Sequence, residues 1–211
     1  MKFSLNKTTH AWACLMLLGL LGPLASATQP VAQADDFATQ LDAAALNRLK
    51  AQVRYDGRYV AIAYPGGDVP ADTGVCTDVV IRSYRALGVD LQVKVHEDMR
   101  QNFARYPSQR LWGLSRPDPH IDHRRVPNLQ VFFKRHGQAL PTSDNPASYR
   151  PGDLVTWMLP GNLPHIGIVS SKKTRAGVPL IVHNIGRGPE LSDALFVYKI
   201  TGHYRYQPKP V

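Results

Sequence analysis

Apolar residues recur at helical spacing from Asp36 to Val53, where Phe37, Leu41, Ala44, Ala45, Leu49 and Val53 predict an amphipathic helix. A run of turn-formers follows, Tyr64-Pro65-Gly66-Gly67-Asp68-Val69-Pro70, and predicts an ordered loop. It leads into a second helical pattern, in which positions 76, 79, 80, 83, 84 and 87 are apolar or weakly polar. Thr73 is its capping candidate and Gly88 its stop. Val95 to Tyr106, with Met99 and Phe103, predicts another short helix that Pro107 ends. Pro117 to Arg125 reads as a polar loop, and Asn128 to His136 as a helix closed by Gly137.

After Pro141 the period changes. Leu154-Val155-Thr156-Trp157, His165-Ile166-Gly167-Ile168-Val169, Leu180-Ile181-Val182-His183 and Leu195-Phe196-Val197-Tyr198 are short, rich in branched and aromatic residues, and separated by turn-formers. They predict one antiparallel sheet, to which His203-Tyr204-Arg205-Tyr206 is a further candidate. Helices first and strands later define an α+β fold, with the helix that starts at Cys76 packed on the sheet.

The amino terminus changes the picture of where this domain begins. Lys2 and Lys7 precede a short apolar core from Ala11 to Leu21, and Ala25-Ser26-Ala27 fits a small-x-small cleavage site. Residues 1–27 therefore read as a signal peptide and 28–211 as a single domain. Ala32-Gln33-Ala34 is a second candidate cut, which would start the mature chain at Asp35. The apolar run is shorter than the roughly 20 residues a membrane span needs, so no stable span is expected after cleavage. The expected location is periplasmic or secreted. Removing Lys2 and Lys7 leaves 23 of the 25 basic residues against 16 acidic ones, a net charge of +7. A basic exported protein is drawn to anionic surfaces. Nucleic acid is not expected, because the basic residues are scattered and their clearest cluster is Arg124-Arg125.

Cys14 lies inside the apolar core of the leader, so the mature chain keeps one cysteine, Cys76. It has no partner for an internal disulfide, and exported compartments oxidise idle thiols. Burial as an inert thiol is the alternative that residue type favours. Position argues otherwise: a thiol in the first helical turn meets unpaired N–H groups and the positive end of the helix dipole, both of which favour thiolate. A nucleophile of this kind needs a base and a group to orient that base. His165 opens one predicted strand and His183 ends the next, so antiparallel pairing can bring the two imidazoles together. Alternation places His165 and Gly167 on one face, opposite the isoleucines, with the glycine leaving room for a substrate or the approaching helix.

These residues carry a resemblance. The order of Tyr64, Gly66-Gly67, Cys76 at a helix start, Gly152-Asp153-Leu154-Val155 and His165-Ile166-Gly167-Ile168 is similar to NlpC-type cell-wall cysteine peptidases of the papain-like superfamily. In that family a tyrosine and paired glycines precede an Asp-Cys-Ser-Gly segment, which here reads Val75-Cys76-Thr77-Asp78. Together with Asp122-His123-Arg124-Arg125-Val126-Pro127-Asn128-Leu129, the pattern looks more specifically like an uncharacterised secreted bacterial family, the domain of unknown function 1287.

The resemblance implies a papain-like α+β hydrolase that cleaves an amide bond, with peptidoglycan peptides as first substrate and no cofactor. It implies Cys76 as nucleophile, His165 as base and His183, or its neighbour Asn184, as the orienting group. The oxyanion would meet the Cys76 backbone N–H and the Tyr64 hydroxyl. Asp78 is a candidate substrate contact, although its position also suits it to stabilise the helix start. Arg124 in its polar loop is a candidate to grip a substrate carboxylate. The rival set His120, Asp122 and His123, with His96 and Glu97 upstream, has no trusted metal spacing, so no metal site is assigned. A thiol acyltransferase or amidase on another envelope molecule, or a non-catalytic binding module, are the alternative functions. The expected partner is a cell-wall peptide, bound by a monomer.

Overall fold

The structure is a computed structural model and describes residues 1–2 and 29–208, with side chains placed from Asp36 onward in the helix that opens the second stretch. Residues 3–27 of the leader and both candidate cleavage sites lie outside the described side chains. No described helix is long and apolar enough to cross a membrane.

Helix α1 spans Gln29–Asn47 and buries Leu41 and Ala45. Two short strands, β1 (Arg54–Tyr55) and β2 (Thr73–Gly74), pair in parallel and bracket the predicted loop. Within it Gly67 passes so close to Ala63 that an added Cβ would lie 1.9 Å from the Ala63 carbonyl oxygen, so only glycine fits. The buried Gln92 clamps the same loop, accepting from the Gly67 N–H at 2.9 Å and donating to the Ala63 and Pro119 carbonyls. Helices α2 (Cys76–Arg85), α3 (Leu91–Asn102), α4 (Ser108–Trp112) and α5 (Val126–His136) follow. Thr73, expected as a cap, belongs to β2. The start of α2 is instead held by Asp78, whose carboxylate accepts the Val75 N–H at 2.6 Å.

The main sheet contains β3 (Gln138–Leu140), β4 (Leu154–Leu159), β5 (Leu163–Lys173), β6 (Pro179–His183), β7 (Glu190–Ser192) and β8 (Lys199–Arg205). Their order is β3-β8-β4-β5-β6-β7, and every pairing is antiparallel. This is the α+β class expected from the change of period. Leu195 to Tyr198 is not a strand. It forms turns, with Leu195 buried and its carbonyl accepting the Trp157 indole N–H at 3.0 Å.

Strand alternation sorts the core into two faces. Leu154, Ile166, Ile168 and Val182 face the helices and pack with Val79, Val80, Tyr84, Met99, Leu129 and Phe133. Val155, Trp157, Val169 and Ile181 form the other face, covered by Tyr149, Ala194 and Leu195. Burial of large apolar side chains on both faces, each contributing about 1.5–3 kcal/mol, makes the sheet the rigid base of the site.

Candidate active site

The sequence-predicted histidines meet. His165 near the start of β5 and His183 at the end of β6 lie 2.7 Å apart, His165 Nε2 to His183 Nδ1, and both are buried. Their rings cross at 74°. Gly167 makes this approach feasible: a Cβ there would sit 3.1 Å from His183 Cβ and 2.5 Å from Ile181 Cγ2. The space beside His165 that the sequence left for a helix or substrate is therefore filled by β6. On the far side of His183, Nε2 lies 2.7 Å from Ser192 Oγ and 3.7 Å from a Glu190 carboxylate oxygen, both on β7. Burial, and for His165 also its neighbour His183, push the imidazoles down to about 3 for His165 and about 4 for His183. Both rings are neutral near pH 7.

Cys76 opens α2, and its sulfur is met by the backbone N–H of Ile166, the residue that follows His165, as well as by the Thr77 and Cys76 amides. Cys76 thus packs with Ile166 on the helix-facing side of β5, whereas His165 pairs with Trp157 and lies near its ring, which puts the two imidazoles on the opposite side of the strand with Trp157 and Ile181. No hydrogen bond joins the sulfur to the His165 ring. The expected thiolate is not the resting form. Burial pushes the thiol up to about 11, with the Asp78 charge adding to it, and outweighs the N–H groups that pull it down. Cys76 is only 5% exposed.

The remaining expected residues are placed differently. Tyr64 is exposed and packs edge-on against His96, with ring centroids 4.9 Å apart. The tyrosine near the sulfur is Tyr55, on the strand paired with Gly74; burial first, then Cys76 and Asp78, push its hydroxyl up to about 12. Asp78 and Arg124 form a buried bidentate pair, 2.9 Å at both contacts. Thr77 Oγ1 also donates to the Arg124 carbonyl at 3.1 Å. Neither charge faces a substrate lip; each fixes the start of α2 from inside. The segment read as a polar loop is interior, with Asp122, His123 and Arg124 all buried. Asn184 sends its hydrogen bonds to glycines rather than to His165. Its carbonyl oxygen accepts from the Gly186 and Gly188 amides, and its Nδ2 donates to Gly74 at 3.4 Å, tying β6 to β2.

Sequence reasoning missed Tyr55, Ser192 and Glu190. Ser192 and Glu190 sit on a three-residue strand with no periodic signal, and nothing in one sequence separates Tyr55 from Tyr59 or Tyr64. Among the described residues no cluster of three or more His, Cys, Asp or Glu side chains is arranged to hold a metal ion.

The fold combines a helix-start cysteine and a strand-borne histidine pair on an α+β frame. Residues 42–206 match the family described as a domain of unknown function (DUF1287), and the chain belongs to that family. It is 56% identical over 152 residues to the uncharacterized protein YijF of Escherichia coli (strain K12), covering 72% of this chain and 73% of that one. Similar solved structures include two from Trichomonas vaginalis. NlpC1 from Trichomonas vaginalis has a TM-score of 0.44 at 14% identity, with 82% of this chain and 45% of that chain covered. NlpC2 from the same organism has a TM-score of 0.43 at 16% identity, with 82% and 48% covered. The chain thus spans about half the length of either one.

Proposed function

We propose that this protein is an exported thiol hydrolase that cleaves an amide bond, with peptidoglycan stem peptides as its substrate class. The observation that carries the reading is the His165–His183 contact of 2.7 Å at the strand end whose Ile166 amide meets the Cys76 sulfur.

The tautomers follow from the contacts. For His165 to take a proton at Nδ1, its Nε2 must carry hydrogen and donate to His183 Nδ1. His183 then carries its own hydrogen on Nε2 and donates it to Ser192 Oγ. Ser192 is a positioning residue in this scheme, and Glu190 steadies positive charge on the pair. Cys76 loses its proton to His165, relayed through a water around the strand end, as the sulfur attacks the carbonyl carbon. The carbonyl electron pair moves onto oxygen, where the Cys76 N–H and the Tyr55 hydroxyl donate to it. Collapse breaks the C–N bond, His165 returns the proton to the leaving amine, and water then hydrolyses the thioester.

The buried, protonated thiol favours a second reading, a binding module that has kept the fold without the chemistry. Digestion of purified muropeptides by wild type and by Cys76→Ser, followed by mass spectrometry, tests the first reading. New fragments only with wild type support hydrolysis. Intact muropeptides in both reactions, with equal retention of peptidoglycan by the two proteins, select the binding module.

A further inference from the structure

A cavity of about 560 Å³ opens between α4, α5 and β8, away from Cys76, His165 and His183. Arg105, Arg110 and Lys134 line it, and no carboxylate does. All three cations are exposed, and none is ion-paired among the described residues. The contrast with their neighbour is instructive: Arg135, next along α5, is bound at 2.7 and 3.0 Å by Asp98. The Tyr106 hydroxyl also reaches that carboxylate, which does not line the cavity. Three like charges around one concavity with no carboxylate among them give it a positive field.

The floor is polar and held in place. Gln130 on α5 donates to Thr156 Oγ1 at 2.9 Å and to Thr201 Oγ1 at 3.2 Å, and Thr201 lies at the irregularity where β8 shifts register against β4. Size, concavity, a fixed polar floor and unpaired cations are the features of a site for a small charged group. Guanidinium groups present paired N–H donors that match planar or tetrahedral oxyanions.

From these features we infer that the groove is a binding site for an oxyanionic ligand bearing two or more carboxylate or phosphate charges. The strand residues in its lining, Thr201 and Tyr204, belong to β8, which β4 separates from the strand that carries Ile166. The cavity shares no lining residue with the candidate active site, so binding here does not depend on thiol chemistry.

Titration of the Cys76→Ala protein with tripolyphosphate and, separately, with a tri-glutamate peptide, at an ionic strength of about 0.05 M where screening is modest, tests the inference by calorimetry. The expected result is saturable one-to-one binding of at least one probe, and the tighter probe identifies phosphate or carboxylate as the preferred group. Neutralising the groove with Arg105→Gln, Arg110→Gln and Lys134→Gln lowers that affinity at least about tenfold, as loss of charge-assisted hydrogen bonds requires. Neutralising Lys172, Lys173 and Arg175 on the distant β5–β6 hairpin leaves it within about twofold on the same scale. In the unsubstituted groove, the Gln130 side-chain amide resonance shifts on titration. Absence of saturable binding by either probe overturns the inference. Equal losses from the groove and hairpin variants also overturn it, because they reduce the binding to general attraction by a basic surface.

Discussion

Gly167→Ala tests the geometry on which the catalytic reading stands. The new methyl would lie 2.5 Å from Ile181 Cγ2 and 3.1 Å from both His183 Cβ and the Val182 carbonyl oxygen. Carbon contacts are comfortable at about 3.5–4.0 Å, so β6 must retreat from β5 by about 1 Å. That movement stretches the 2.7 Å imidazole contact beyond hydrogen-bond range. Overpacking costs about 1–3 kcal/mol, and leaving two buried ring nitrogens unpaired costs about as much again. Urea unfolding should therefore show a loss of about 2–6 kcal/mol on the same two grounds. Ring 15N resonances should report a lost His165–His183 hydrogen bond, and hydrolysis should fall by about a hundredfold, the scale of a 1 Å misplacement. Ile181→Ala removes the closest obstacle, so the double variant should be more stable than the two single losses predict. A Gly167→Ala protein within about 0.5 kcal/mol of wild type, with unchanged ring resonances, would refute the argument, since that is the size of an ordinary neutral substitution.

Stability should fall as pH drops from about 6.5 toward 4. His165 and His183 are depressed in the fold, so the unfolded chain binds protons there that the native state refuses. The loss approaches about 3 kcal/mol for His183 near pH 4, and His183→Gln should flatten the urea midpoint over that range; an unchanged pH profile in the variant speaks against it. Cys76 should alkylate slowly with iodoacetamide at pH 7, its rate climbing toward about pH 11; a fast reaction at neutral pH contradicts the buried, protonated thiol. Arg124→Met strands the Asp78 carboxylate in the interior and should cost about 3–5 kcal/mol by chemical denaturation, whereas Arg124→Met with Asp78→Leu should recover much of it. Equal losses from the single and double variants would place the role of the pair elsewhere.

What could be read from the chain follows the range of the interactions involved. The Cys76 helix and the strands containing Trp157, His165 and His183 announce themselves through periodicity that each segment carries alone. Their pairing into one sheet follows from short turns between them, and it brings the histidines together. Misreadings occur where a partner is remote. Arg124 looked like a surface charge because its partner, Asp78, is 46 residues away. Leu195 to Tyr198 has strand composition, yet Leu195 is buried as a cover on the far face and β8 begins just beyond, at Lys199. The three-residue strands β3 and β7 are too short for any pattern, which is why Ser192 and Glu190 went unseen.

The thiol is where two local rules compete and the size of each decides the chemistry. A helix start contributes about 0.3–1 kcal/mol in favour of the thiolate, while full burial disfavours it by several times that amount. The balance leaves a neutral thiol near 11 and a neutral imidazole near 3 on the two sides of β5. Moving a proton from sulfur to His165 then costs about 11 kcal/mol for isolated groups, at about 1.4 kcal/mol per pKa unit. If substrate binding brings the two groups to about 4 Å, attraction between the resulting charges offsets about 4 kcal/mol of this at an effective dielectric of 20. The remaining cost of about 7 kcal/mol sits well inside the barrier of about 16 kcal/mol that corresponds to ten turnovers per second. Catalysis through a transient thiolate is therefore energetically open, whereas a stored ion pair is not. A burial of this kind would also shield the sulfur from oxidation in an oxidising compartment. It follows that proton transfer accompanies sulfur attack, and that acylation should be slower in heavy water than in light water. Pre-steady-state acylation with an amide substrate reads this directly. An acylation rate indifferent to deuterium, together with a pH profile that is flat from neutrality to about pH 9, would mean that the thiolate preexists and that burial does not govern this sulfur.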